Sequence, residues 1–156
     1  MNWQEVCEHP SLQDLPFKIE LNAYGQLVMT PRTLFHSACQ GEMAGLLSSF
    51  LPAGHALVGC PIQTTKGTKV ADVAWVSQQR LEQIQHEVEC SIAPEICVEV
   101  VYSYLKQIRQ KRKLYFEKGA EEVWICAENG KMTFYDAHGL LEHSHLVAEF
   151  PAHIEI

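Results

Sequence analysis

Three residues of this sequence stand out for the chemistry they could do: Asp72, Glu99 and Lys111. Asp72 sits in the strand-like run 68–76. Along an extended chain Val70, Ala74 and Val76 share its face, and Ala71, Val73 and Trp75 take the other. Both faces are apolar apart from the carboxylate, which must be desolvated, paired or bound to a cation. Glu99 repeats the anomaly in 96–101, where Cys97 and Val101 share its face and Ile96, Val98 and Val100 form the opposite one. Lys111 belongs to a helical stripe of Tyr104, Ile108, Lys111 and Tyr115 that should face the sheet. Two carboxylates on one sheet raise each other's pKa unless a cation lies between them. Mg²⁺ commonly takes one or two carboxylates plus waters. In such a site a metal lowers the pKa of a bound water and polarises a phosphoryl oxygen. A lysine then helps activate the water or neutralises the developing charge. The corresponding reaction is phosphodiester hydrolysis. On these residues alone, two other readings stand beside it. The three side chains could pair as a structural ion triad, or Lys111 could extend along the helix flank to water.

The elements that must position these groups are legible from turns and periodicity. Residues 2–9 predict a short helix closed by Pro10. Runs 17–21 and 26–29 flank Asn22-Ala23-Tyr24-Gly25, a hairpin with a glycine in its turn, and Pro31 ends it. Residues 33–51 predict the first long helix, with Leu34, Ala38, Met43, Leu46, Leu47 and Phe50 as its apolar stripe and Pro52 and Gly54 as its stop. Runs 56–63 and 68–76, joined around Lys66-Gly67, read as a second hairpin. Residues 77–90 are polar, a loop or a loosely packed helix. Pro94 precedes 96–101, whose continuous apolar character fits a central strand covered on both faces. Residues 104–118 predict the second long helix, ended by Gly119. Asn129-Gly130 between 122–127 and 131–135 is a strong hairpin signal. The tail, 146–147 and 153–156, is expected to add an edge strand. The fold class is therefore α/β (α+β): a mixed β-sheet flanked by helices, preceded by an N-terminal β-hairpin, with a strand–helix–strand crossover over 96–127.

Composition bounds the function. A chain of 156 residues, 47% hydrophobic, suits one domain spanning 1–156 with a real core. The net charge of −7 opposes a polyanion, so any nucleic-acid face must be local. The only concentrated basic patch is Lys106, Arg109, Lys111, Arg112 and Lys113, beside the candidate site. Six cysteines without a C-x-x-C pair read as reduced, mostly buried small hydrophobes. With no basic-then-apolar leader at Met1-Asn2-Trp3 and no run long enough to span a bilayer, the expectation is a cytoplasmic protein without a membrane partner.

Several segments together resemble the Uma-two (Uma2) family of restriction-endonuclease-like proteins in the PD-(D/E)XK nuclease superfamily. Ile19-Glu20-Leu21 followed by Gly25 and Leu27-Val28-Met29 resembles its opening hairpin. The run Thr68 to Val76 resembles its Pro-Asp-Val strand, with Ala71 in place of the proline. Pro94 to Val101 resembles its Pro-x-x-x-x-Glu-Val strand. Lys111 to Phe116 with Gly119-Ala120-Glu121-Glu122-Val123-Trp124 resembles its Lys…Tyr…Gly…Trp helix and following strand. His36 falls where the family has a histidine at the start of the first helix.

The resemblance covers nearly the whole chain and implies a restriction-endonuclease-like core. It implies that Asp72 and Glu99 bind the metal and that Lys111 is the catalytic lysine, moved from the strand, where Val101 stands, to the helix. It adds Glu20 as a further acid of the site. Tyr102-Ser103-Tyr104 replaces the family's Ser-Pro-rich loop and shortens the link to Lys111. The implied function is a Mg²⁺- or Mn²⁺-dependent endonuclease hydrolysing DNA, working as a homodimer. The alternative is a nuclease-fold protein of weak or no turnover, acting as a binding or regulatory module. Against a structural triad, metal dependence is the discriminating property. His143 and His145 would share a strand face but lack a third ligand, so they read as surface histidines. Ser37, Ser48 and Ser49 lack a nucleophile-elbow context, and Gly130 and Gly139 are turn residues rather than a phosphate loop.

Overall fold

Asn2 accepts a hydrogen bond from Glu5 N and so starts α1 (Trp3–Glu8), which a 3-10 turn over Pro10–Leu12 follows. The computed structural model describes residues 1–101 and 105–156, leaving aside the side chains of residues 105 and 106. Strands β1 (Phe17–Leu21) and β2 (Leu27–Pro31) form the expected antiparallel hairpin, with Gly25 at φ +74 in its turn. Helix α2 (Leu34–Phe50) is capped by the Thr33 hydroxyl, which accepts from His36 N. Then come β3 (Gly54–Thr64), β4 (Gly67–Ser77), α3 (Gln78–Ile84), β5 (Ile96–Val101), α4 (Leu105–Glu117), β6 (Glu122–Ala127), β7 (Met132–Asp136) and β8 (Gly139–Leu141).

The large sheet has six strands in the order β3-β4-β5-β6-β7-β8. Only β5 and β6 pair in parallel, through the α4 crossover, and the other neighbours are antiparallel. This is the mixed sheet that the sequence predicts, with β5 in its interior. One core cluster gathers α2 (Cys39, Met43, Leu47) over Val98 and Trp124; the other gathers Cys97, Tyr115 and Val123.

Two expectations are corrected. The buried face of α2 is His36, Cys39, Gln40, Met43 and Leu47, whereas Leu34 is 87% exposed and Phe50 also faces outward. Two polar side chains occupy the face that an apolar count would skip, because both are used by the site. The last edge strand is β8, not the tail. The tail forms only a single bridge, Lys131 with His153, at the start of β7.

Two contacts fix the ends of this architecture. Gly67 (φ +92) opens β4, and a Cβ there would fall 2.3 Å from Leu21 O. The missing side chain is what lets the β1–β2 hairpin lie against β4. At the other end Glu122, 2% exposed, accepts from Trp124 Nε1 (2.8 Å), Ser144 Oγ (2.6 Å), His145 N (2.9 Å) and Leu146 N (3.0 Å). That carboxylate pins the C-terminal segment over β6. All six cysteines are free; four are buried, Cys90 is half-buried and Cys7 is exposed. No helix among the described residues is long and apolar enough to cross a membrane.

Candidate active site

Strands β4 and β5 pair only through Val73↔Val98, Ala74↔Cys97 and Trp75↔Ile96. Beyond Val73 they part, and two carboxylates fill the gap. Asp72 N donates to Glu99 Oε2 at 3.1 Å, and Val100 N donates to Asp72 Oδ2 at 2.8 Å. Each acid thus satisfies a backbone N–H on the other's strand that the ladder has left free. On the far side of β4, the register with β3 skips Asp72 and Gly59. The Asp72 carbonyl accepts instead from Gln40 Nε2 of α2 at 2.8 Å.

Cations then converge on the gap. Lys18 and Glu20 share the inward face of β1, as strand alternation requires. Lys18 Nζ lies 3.0 Å from Asp72 Oδ1 and 3.3 Å from both Glu99 oxygens. Lys111 Nζ, from α4, lies 2.7 Å from Glu99 Oε1 and 2.8 Å from Glu20 Oε2. Glu20 Oε2 also accepts from Val70 N at 2.7 Å. His36 Nε2 lies 3.1 Å from Asp72 Oδ1. Asp72 and Glu99 are each 2% exposed.

Three acids therefore face two lysines and one histidine in a largely buried space. Burial pushes Asp72 up, but Lys18, His36 and the Val100 N–H outweigh it and hold the carboxyl well below the usual range. Burial wins at Glu99: Lys111 and Lys18 oppose it, Asp72 and Glu20 add to it, and the carboxyl sits above its ordinary value. Burial disfavours charge on Lys111 too, but Glu99 and Glu20 more than reverse this and strengthen its hold on the proton. The site opens into a cavity of about 340 Å³ between the hairpin and α4, whose walls include Val28, Thr30, Arg32, Lys69, Gln107 and Gln110.

The family model for Uma2, described as "Putative restriction endonuclease", matches residues 3–145. The chain belongs to the Uma2 family. The Uma2 match takes in every strand and helix that builds the site. Among solved structures, one described as a putative nuclease belonging to DUF820, from Anabaena variabilis, is similar in fold. Its TM-score is 0.71 at 14% identity, over 99% of this chain and 94% of that one. No curated protein matches. Membership of the Uma2 family is thus established for this chain, and it shares its fold with that structure.

The structure gathers all four residues singled out in the sequence, Asp72, Glu99, Lys111 and Glu20, around one cavity. Within the helical stripe, Tyr115 is buried and Ile108 lines the cavity with Lys111. Tyr102-Ser103-Tyr104 and the side chain of Lys106 lie outside the described residues. Arg112 stacks over the Tyr135 ring, 3.8 Å from its centroid, so part of the basic patch is tied to the sheet. His143 and His145 are exposed, as expected. The residue missed is Lys18. Its signal was present: it stands two residues before Glu20, hence on the same strand face. Gln40, which takes up the Asp72 carbonyl, gave no sign in the sequence.

Proposed function

We propose that this Uma2 protein is a metal-dependent endonuclease that hydrolyses DNA, with Asp72 and Glu99 as metal ligands and Lys111 as the catalytic lysine. The observation carrying this reading is the convergence of Asp72 and Glu99 on one cationic point, with Lys111 on Glu99 and a cavity open above them.

The donor set suits a hard divalent ion. Asp72 Oδ1 is buried and faces Lys18 Nζ at 3.0 Å and His36 Nε2 at 3.1 Å, side-chain groups rather than backbone, so it can turn to a ligand sphere when they move aside. Among the described residues no three or more His, Cys, Asp or Glu side chains are grouped so as to hold a metal ion, which limits the protein donors to the two carboxylates. A pair of carboxylates completed by water and substrate oxygen is the Mg²⁺ or Mn²⁺ pattern, not the zinc one. Bound there, the ion would supply a nucleophilic water of lowered pKa and polarise the phosphoryl group. The chain's own residues do the rest. The Val100 N–H fixes the Asp72 carboxylate, and the Asp72 N–H fixes that of Glu99. Lys111, held protonated by Glu99 and Glu20, presents positive charge to the phosphate as charge builds on it. Arg32 and Lys69 on the cavity wall add cationic character in a chain whose net charge is −7. We place the protein in the cytoplasm and expect a homodimer, because cutting two strands calls for two sites.

The test is cleavage of plasmid and single-stranded DNA with Mg²⁺ or Mn²⁺ by wild type, Asp72→Asn and Glu99→Gln. Isosteric variants are needed because both acids also hold the strand gap. Metal-dependent cutting lost in both folded variants supports the reading. Equal cutting by all three, or none by wild type under either metal, sinks it. In the second case the reading that remains is a nuclease-fold binding module, and the seat taken by Lys18 between the acids is the feature that favours it.

A further inference from the structure

Two acids that converge on a divalent ion should repel each other in its absence, yet here both are buried. One cation of the chain faces both of them. Lys18 Nζ is 3.0 Å from Asp72 Oδ1 and 3.3 Å from Glu99 Oε1 and Oε2, so one ammonium spans both carboxylates. The Lys18 side chain is itself 8% exposed. Lys111 cannot do this work, since its ammonium lies between Glu99 and Glu20. At Asp72, Lys18 shares Oδ1 with His36 Nε2, which lies 3.1 Å away. The ammonium is thus divided among oxygens of two acids, as a cation filling a shared space would be.

We propose that Lys18 is a built-in counter-cation seated at the metal position, and that the site takes up a divalent ion only as this ammonium withdraws to the phosphate of a bound polyanion. The inference rests on the reading of the site given above. Metal–oxygen distances in Mg²⁺ sites are about 2.0–2.1 Å, so an ion bonded to both acids on the side where Nζ stands would fall too close to the ammonium for both to remain. The two cannot be held together. The four-carbon stem of a lysine can swing its head without moving the backbone, and Lys18 already lines the cavity where a substrate would lie. A displaced ammonium needs an anion. The remaining acid of the site, Glu20, is taken by Lys111 and by Val70 N. A phosphate in the cavity is the partner available, and beside it Lys18 would stand with Arg32 and Lys69. Metal and polyanion then favour each other's binding, and by linkage each must raise the affinity of the other equally. An idle molecule keeps its acids neutralised and its metal site closed.

The experiment measures Mn²⁺ binding by calorimetry and by the spin-resonance signal of the free ion. It uses wild type and Lys18→Met, with and without a short duplex oligonucleotide carrying non-cleavable phosphorothioate linkages. Wild type alone should bind Mn²⁺ weakly, and the oligonucleotide should tighten it about ten-fold. Lys18→Met should bind Mn²⁺ at least about ten-fold more tightly than wild type without DNA and gain little from it. If folded Lys18→Met binds Mn²⁺ no better than wild type, the proposal is overturned. Should that variant not fold, the wild-type arm decides: Mn²⁺ affinity indifferent to the oligonucleotide refutes it as well. Loss of the nuclease reading looks different, because the metal would bind as described but no cleavable DNA would be cut.

Discussion

Replacing Lys111 with methionine tests the charge balance of the site directly. As built, Glu20, Asp72 and Glu99 face Lys18 and Lys111. Lys111→Met removes the ammonium 2.7 Å from Glu99 and 2.8 Å from Glu20 and leaves a single lysine against three buried acids. Removing one partner of a buried ion pair costs about 3–5 kcal/mol. With a urea slope of about 2 kcal/mol per molar, the unfolding midpoint should fall by roughly 1.5–2.5 M at neutral pH.

The sign of the pH dependence follows from linkage. In the variant, Glu20 and Glu99 lose their shared cation, so Glu20 rises from its lowered value to above the unfolded one, Glu99, already raised, rises further, and the folded state binds the extra protons. A raised carboxyl destabilises above its folded pKa, and that penalty fades as pH falls towards the unfolded value. The deficit against wild type should shrink markedly between pH 7 and about pH 5. Lys111→Met with Glu20→Gln restores one lysine to two acids and should recover about 1–2 kcal/mol, read as a double-mutant cycle. Urea melts followed by circular dichroism at both pH values suffice. A deficit independent of pH, not reduced by the second substitution, would refute the argument that these groups form one charge-balanced network.

Two further predictions concern the frame. Gly67→Ala forces a side chain into φ +92 and against Leu21 O, and should cost about 1–3 kcal/mol; proteolysis should then cut first in the β1–β2 hairpin, while a wild-type pattern would show that the hairpin does not depend on this close approach. Glu122→Gln keeps the shape of the clamp but turns an amide donor towards groups that already donate. It should lose about 3 kcal/mol in a urea melt, and a loss below about 1 kcal/mol would mean the tail is held by its apolar contacts instead.

The parts of the fold that were legible in the sequence are those fixed by local chemistry. Gly25 and Gly130 mark their hairpins because both adopt positive φ, and the run of β5, apolar but for Glu99, reflects burial on both faces. Asp72 and Glu99 were legible for the same reason, being charges in strands that had no wet side. What stayed hidden depended on non-local partners. The inner face of α2 carries His36 and Gln40 because β4 offers them a carboxylate and a free carbonyl, and helical periodicity of apolar residues cannot register that. Lys18 was half legible: its spacing from Glu20 puts it on that acid's strand face, but a lysine in a hairpin strand ordinarily points to water. Strand β8 is three residues long and too short to show a period.

The gap between β4 and β5 also has an evolutionary side. Asp72 and Glu99 close that gap by accepting each other's backbone N–H groups, so selection for folding alone would retain them in a lineage that had ceased to cut anything. The two acids are a poor clock for loss of activity. Drift would register first on the cavity wall, at positions such as Gln107 and Gln110, which border the cavity and stand outside the strand gap.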